Sequence, residues 1–248
     1  MTEADARDFA AAVEALRSGR AEDAIAGLEA LADRGVVGAG LAYDRGLAYA
    51  ARVRVGQGLV GDLGRAAHGF EEALRRDPHD HPARVALDEV RREIARRDLA
   101  AGWKPEEVGS PPMWRAIVVA APGDVWVGLA LFGALLAALA LALRPRLARG
   151  RRLAASTCAT LGVTFALAGT ALGLGARHLR LHVREAVVVT PHALAQPLDR
   201  EHGQPMQLVE GVRVDVIEER MTETLVHTER GDGWVARSSL RALPAFRP

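Results

Sequence analysis

The chain has 248 residues, of which 49% are apolar, 25% charged and only 4% aromatic. That composition excludes a disordered or collagen-like chain and leaves few rings for stacking bases. Its single cysteine excludes a disulfide framework and a thiolate zinc site built from this chain alone.

The net charge of +1 hides an asymmetry. Residues 125–184 carry eight Arg and no acid, between mildly acidic ends. The Arg are not interleaved with aromatics on a soluble face, so no nucleic-acid partner is expected. Lys104 is the one lysine and there is no Asn, which removes a Cys-His-Asn triad and leaves little lysine chemistry.

Residues 1–100 read as helices of period 3.6. Phe9, Val13 and Leu16 share a face, then Ile25, Leu28 and Leu31, with Ser18-Gly19-Arg20 between the two runs. Ala66, Phe70, Ala73 and Leu74 recur at helical spacing and end at Arg76-Asp77-Pro78; a last helix follows Pro82 with Val85, Leu87, Val90 and Ile94. The segment Tyr43-Asp44-Arg45-Gly46-Leu47-Ala48-Tyr49 resembles the first helix of a tetratricopeptide repeat. Ala66, Phe70, Ala73 and Pro78 are similarly spaced to its second helix. The resemblance implies about two repeats and a trailing helix, with an insertion around residues 55–61. Repeat packing is then expected at Tyr43, Gly46, Tyr49, Ala66, Phe70, Ala73 and Pro78.

The insertion holds Gly56-Gln57-Gly58-Leu59-Val60-Gly61, a literal dinucleotide fingerprint. Its strand would contain Arg52 and Arg54, which a strand buried on both faces does not tolerate, so nucleotide binding is not expected. His79-Asp80-His81 reads as a polar turn, not a metal site.

Residues 101–124 form a linker, in which 110–119 are expected to lie along a membrane interface, with Trp103, Trp114 and Trp126 at the entry to the first span. Residues 125–143 and 153–176 are uncharged runs of 19 and 24 residues, each long enough as a helix to cross a ~30 Å hydrocarbon core. Gly169-x-x-x-Gly173 would permit close helix contact. Nine residues link the runs, five of them Arg: Arg144, Arg146, Arg149, Arg151 and Arg152. So short a link forces an antiparallel hairpin, and the positive-inside rule puts it in the cytoplasm and both ends in the periplasm. Met1-Thr2-Glu3-Ala4-Asp5 is acidic without an apolar stretch, so the expectation is an upstream gene start or export of the N-tail by another route. His178 and His182 are expected at the membrane interface, and Cys158 as an inert residue within a span.

Residues 183–243 change to period 2. Residues 186–190, then Val212, Val214 and Val216, then 224–228, then Trp234-Val235 read as short strands, with Gly231-Asp232-Gly233 as a turn. His227, Asp232, Ser238 and Ser239 are triad residue types without a nucleophile-elbow motif. The pattern resembles the bacterial SH3-like barrel in Ala186-Val187-Val188-Val189, Leu208-Val209-Glu210-Gly211-Val212-Arg213-Val214, Gly233-Trp234-Val235 and Ser239-Leu240. It departs from it at Ala195-Gln196-Pro197-Leu198. The expected barrel core is Val187, Val189, Val214, Val216 and Trp234.

The order of parts, with Gly61-Asp62-Leu63-Gly64-Arg65-Ala66 and Trp114-Arg115-Ala116, makes the whole chain similar to the BatE-type proteins of bacterial aerotolerance operons. That resemblance implies an inner-membrane scaffold with a role in envelope stress tolerance, and the residues themselves lead us to expect no enzyme activity, metal or cofactor. Its partners would be lipid and von Willebrand A-type membrane proteins. The alternative is a peptidoglycan-binding tether acting through the barrel.

Overall fold

A computed structural model describes residues 2–103, 123–146, 149–182, 184–199, 204–228 and 231–244; of residues 123, 146, 149–153 and 178–182 it describes the backbone only. Among these residues there are seven α-helices and seven strands, the helices first and the strands last, as the change of period predicts.

Five helices precede the apolar pair: α1 (Glu3–Arg17), α2 (Ala21–Asp33), α3 (Ala39–Arg54), α4 (Asp62–Arg76) and α5 (His81–Ala100). Their ends follow from local chemistry. The Thr2 hydroxyl accepts from the Asp5 N–H at 3.1 Å, and the Asp5 carboxylate accepts from the Thr2 N–H at 2.9 Å, a reciprocal cap on α1. Asp80 accepts from the Ala83 N–H and caps α5, whose first turn holds Pro82. Each helix packs on the next, and α1 also touches α3, and α3 touches α5. Leu28, Leu31, Ala66 and Phe70 are fully buried in the shared core, with Tyr43 tilted against the Phe70 ring.

Small residues set the α3–α4 distance. A Cβ at Gly69 would lie 2.7 Å from the Gly46 nitrogen and 2.8 Å from the Ala42 carbonyl; one at Gly46 would lie 2.7 Å from the Phe70 ring. The two backbones therefore meet directly.

The strands are β1 (Arg184–Val188), β2 (Ala193–Pro197), β3 (Met206–Leu208), β4 (Arg213–Glu219), β5 (Glu223–Thr228), β6 (Gly231–Ala236) and β7 (Leu240–Ala242). They form one open antiparallel sheet in the order β3-β2-β6-β5-β4-β1-β7. Two details depart from the sequence reading. Ala195, Gln196 and Pro197 belong to a strand, β2. Gly231-Asp232-Gly233 is not a turn: it begins β6 and pairs with Thr228, His227 and Val226.

The helices and the sheet form one compact unit (Met1–Gly109 with Arg184–Pro248), and Ser110–Val183 form a second. In the second, α6 (Gly123–Leu143) packs on α7 (Arg149–His182), with a 3-10 turn at Arg144–Arg146 between them. Asp124–Leu143 and Ala154–Arg177 are long and apolar enough to cross a membrane. Cβ atoms at Gly133, Gly162 and Gly169 would each lie within 2.7 Å of the facing helix's backbone nitrogen, while Leu131, Leu135 and Leu167 point outward, exposed. The Thr160, Thr164 and Thr170 hydroxyls donate to carbonyls four residues back, so their polar groups are satisfied within α7.

Candidate functional site

Sequence reasoning left the helices and the strands as separate parts. The first turn of α4 instead lies on the backbone at Val188 and Val189, where β1 ends. A Cβ at Gly64 would fall 2.6 Å from Val189 Cα, and one at Gly61, which has a left-handed φ of +85°, would fall 2.3 Å from the Val189 carbonyl oxygen. Glycine is required at both positions. The Glu210 carboxylate then reaches the Gly64 N–H at 2.6 Å. Val187 and Leu243 enter the helical core alongside Leu28 and Phe70.

Around this contact runs a seam of polar pairs, each joining a helix to a strand. Arg241 meets Glu29 at 2.9 and 2.5 Å, and the Tyr49 hydroxyl donates to the same carboxylate at 2.8 Å. Arg75 meets Glu185 at 3.0 Å, and Arg213 lies 3.5 Å from Glu71, which also takes Arg91. His68 Nε2 lies 3.0 Å from the Ala242 carbonyl, an acceptor, so this nitrogen carries the proton. Burial, opposed by that hydrogen bond, lowers the His68 pKa to about 4, so the imidazole is neutral at neutral pH. Burial likewise pushes the Glu29 carboxyl up, but the Arg241 hydrogen bond and charge, with Arg45, outweigh it and hold it below its ordinary value.

The inserted segment is pinned from beneath. Arg52 grips Asp62 through two hydrogen bonds of 2.8 and 2.6 Å, and Asp62 accepts from the Leu59 N–H. Asp62 is fully buried. Between this segment, the end of α5 and the β1–β2 turn lies a cavity of about 320 Å³, lined in part by Leu59, Val60, Ile94, Asp98, His192 and Glu210. His192 has a left-handed φ of +55°, stacks on Trp103 with ring centres 4.7 Å apart, and places Nε2 3.9 Å from Asp98. Burial raises the Glu210 pKa to about 7, with Asp98 and Asp62 adding to the rise and the Gly64 N–H and Arg97 opposing it.

The residues expected to pack the repeat fall as follows. Gly46, Tyr49, Ala66, Phe70 and Ala73 are buried, Tyr43 is half-buried, and Pro78 is exposed in the turn after α4. Among the expected barrel residues, Val214 and Val216 line the sheet's own core with Ala186, Val188, Val226 and Val235. Val187 faces the helices instead, Val189 lies against Gly61 and Gly64, and Trp234 lies beneath the Arg220 guanidinium at 3.8 Å. Arg144 is exposed in the 3-10 turn; the side chains of Arg146, Arg149, Arg151 and Arg152, and of His178 and His182, lie outside the described residues, as do residues 110–119 with Trp114. Trp126 packs on Ala176, and Gly169 and Gly173 both lie against the residues around it.

The glycine-rich fingerprint follows a helix: Val53 and Arg54 end α3, so no βαβ unit exists there. His227 and Asp232 pair across β5 and β6 at 2.6 Å, whereas Ser238 and Ser239 lie beyond the other end of β6. Among the described residues no group of three or more His, Cys, Asp or Glu side chains is arranged to hold a metal. Sequence reasoning missed Glu29, Asp62, His68, Glu210 and Arg241. The available signal was charge at positions where the helical period demands a buried residue, as at His68 between Ala67 and Phe70.

These features define a chain with a helical N-terminal region, an antiparallel C-terminal sheet and two helices able to cross a membrane. Compared with protein-family models, curated proteins and solved structures, it matches none.

Proposed function

We propose that this chain is a non-enzymatic, membrane-anchored scaffold for protein–protein interaction in a bacterial envelope complex, of the kind the resemblance to BatE-type proteins implies. One observation carries the reading. The segments before and after the apolar helices meet along the seam Glu29–Arg241, Arg75–Glu185 and Gly64–Glu210. Two segments packed together occupy one side of a membrane, so the chain between them crosses an even number of times. That agrees with α6 and α7 as a two-pass hairpin. By the positive-inside rule, the Arg-rich link favours a turn in the cytoplasm and the packed unit in the periplasm.

The in-order stacking of α1 to α5, with backbones in contact at Gly46 and Gly69, supports a tetratricopeptide-type repeat. The short antiparallel strands support an SH3-like module. Because α4 packs on β1, the sheet serves first as a brace for the repeat, and the remaining helical surface serves the partner. The partners are membrane proteins, with von Willebrand A-type proteins as the expected class.

The test is capture of the tagged full chain from native membranes in mild detergent, alongside pull-down on peptidoglycan sacculi. Stoichiometric membrane partners with no binding to sacculi support the scaffold. Binding to sacculi without such partners would favour a cell-wall tether instead.

A further inference from the structure

Helix α4 is fixed to the strand region at both ends, by two different chemistries. In its last turn Arg75 forms an ion pair with Glu185 on β1, at 3.0 Å. In its first turn, about 16 Å back along the helix, the Gly64 N–H donates to the Glu210 carboxylate at 2.6 Å. The fit around this second contact is close. A Cβ at Gly64 would lie 2.9 Å from Glu210 Cγ, and one at Gly211 would lie 2.9 Å from Ile94 Cδ1. Glu210 therefore stands where the turn between β3 and β4 meets both α4 and α5.

The charges facing this half-buried carboxyl do not balance. Asp62 on α4, Asp98 on α5 and Glu210 line one cavity, with Leu63, Ile94 and Pro191 among its apolar walls. The cations nearby are committed elsewhere: Arg52 and Arg65 pair with Asp62, and Arg97 pairs with Glu93. His192, on the β1–β2 turn, lies 3.9 Å from Asp98. Among the described residues, Glu210 is bonded to a backbone N–H and to no guanidinium. A carboxyl in such a place is costly when ionised, and a proton removes the cost.

We infer that Glu210 is a proton-operated latch. Protonated, it holds the β3–β4 turn against α4 and α5; ionised, it releases that end of the contact while Arg75 and Glu185 hold the other. Burial, with Asp98 and Asp62, raises its carboxyl to about 7, so the closed form is favoured below that pH and release grows as pH rises through it. His192 acts in the same direction, because a proton on its imidazole turns the contact with Asp98 into an ion pair. Release loosens the first turn of α4 and, through Asp62 and Arg52, the connection from α3.

Hydrogen exchange read by mass spectrometry tests the latch on the full chain in detergent micelles, across pH 5 to 9, with rates corrected for the intrinsic effect of pH. A carboxyl at about 7 when closed and 4.5 when open makes opening about tenfold more favourable at pH 8 than at pH 6. Amides 61–66 and 208–212 should gain that factor and, at pH 8, exchange faster than the buried amides of α2 and β5, which report opening of the whole unit. In Glu210→Gln both segments should be equally protected at the two pH values. Asp98→Asn, which keeps Glu210, should retain the transition and move its midpoint to lower pH. Exchange that does not change with pH would overturn the latch. So would rates that match those of α2 and β5 throughout, or an unaltered pH dependence in Glu210→Gln. Should Glu210→Gln fail to protect α2 and β5 even at pH 6, Asp98→Asn decides, and an unmoved midpoint there would overturn the latch.

Discussion

Arg241 and Glu29, 212 residues apart in the sequence, form a two-pronged ion pair that ties strand β7 to helix α2. The pair is only partly exposed, and Tyr49 fixes the same carboxylate from α3, so three elements depend on one site. A planar guanidinium matched to a carboxylate gives fixed geometry as well as attraction. The pair therefore holds the sheet in register against the helices more than it contributes raw stability.

Glu29→Gln or Arg241→Ala should each destabilise the full chain by about 2 kcal/mol, discounted from a fully buried pair for solvent screening. The double variant should cost at least ~1 kcal/mol less than the sum of the single ones. Denaturant unfolding in detergent micelles reads this coupling, and strict additivity would mean that the two groups do not interact.

Phe70 is fully buried among α3 and α4. Phe70→Ala should lower the stability of the full chain by ~3–5 kcal/mol through lost burial and the cavity left behind. Thermal melting followed by circular dichroism checks it; an unchanged midpoint would place the ring in solvent.

Gly69→Ala tests the backbone contact between α3 and α4. The added methyl would meet the Gly46 nitrogen and the Ala42 carbonyl, neither of which can rotate away. Although alanine favours a helix, the variant should lose ~1–3 kcal/mol. A stabilised variant in the same melting experiment would mean that the helices stand further apart.

Glu210 gives a pH prediction with a definite sign. Its carboxyl is raised from 4.5 to about 7, so the folded chain prefers it protonated. The stability it contributes is whole below pH 4.5 and is lost as pH rises through 7, by at most ~3 kcal/mol. Glu210→Gln keeps an acceptor for the Gly64 N–H and removes the ionisation. The stability of the variant relative to the parent should therefore rise between pH 4.5 and 7 and level off above. Taking this difference cancels His68, whose lowered pKa acts in the opposite direction over an overlapping range. A flat difference would contradict the buried carboxyl.

The parts legible in the sequence were those with contrast. Phe70 stood out because a helix solvated on one face leaves a 3.6-residue stripe, and the apolar pair because it lacks a polar face altogether. The Ala186–Val189 run named a strand but not its sides: β1 is buried on both faces, so alternation loses its polar half and Val187 gives no sign that it faces the helices. Strand β2 was hidden by Gln196 and Pro197, and the start of β6 by two glycines, residue types that ordinarily mark a turn. The seam was the least legible of all. Gly64–Glu210 spans 146 residues, and no local pattern reports a partner at that distance.

The central claim is that both flanks of the apolar helices form one unit on the outer side of the membrane. Single-cysteine labelling tests it most directly. In the Cys158→Ser background, Val37→Cys on the helical side and Met221→Cys on the sheet side, both at exposed positions, are treated with a membrane-impermeant maleimide in intact spheroplasts. Both sites should react before lysis, and to the same extent. Reaction of one site in intact spheroplasts and of the other only after lysis would contradict the shared unit, and protection of both until lysis would contradict its outward orientation.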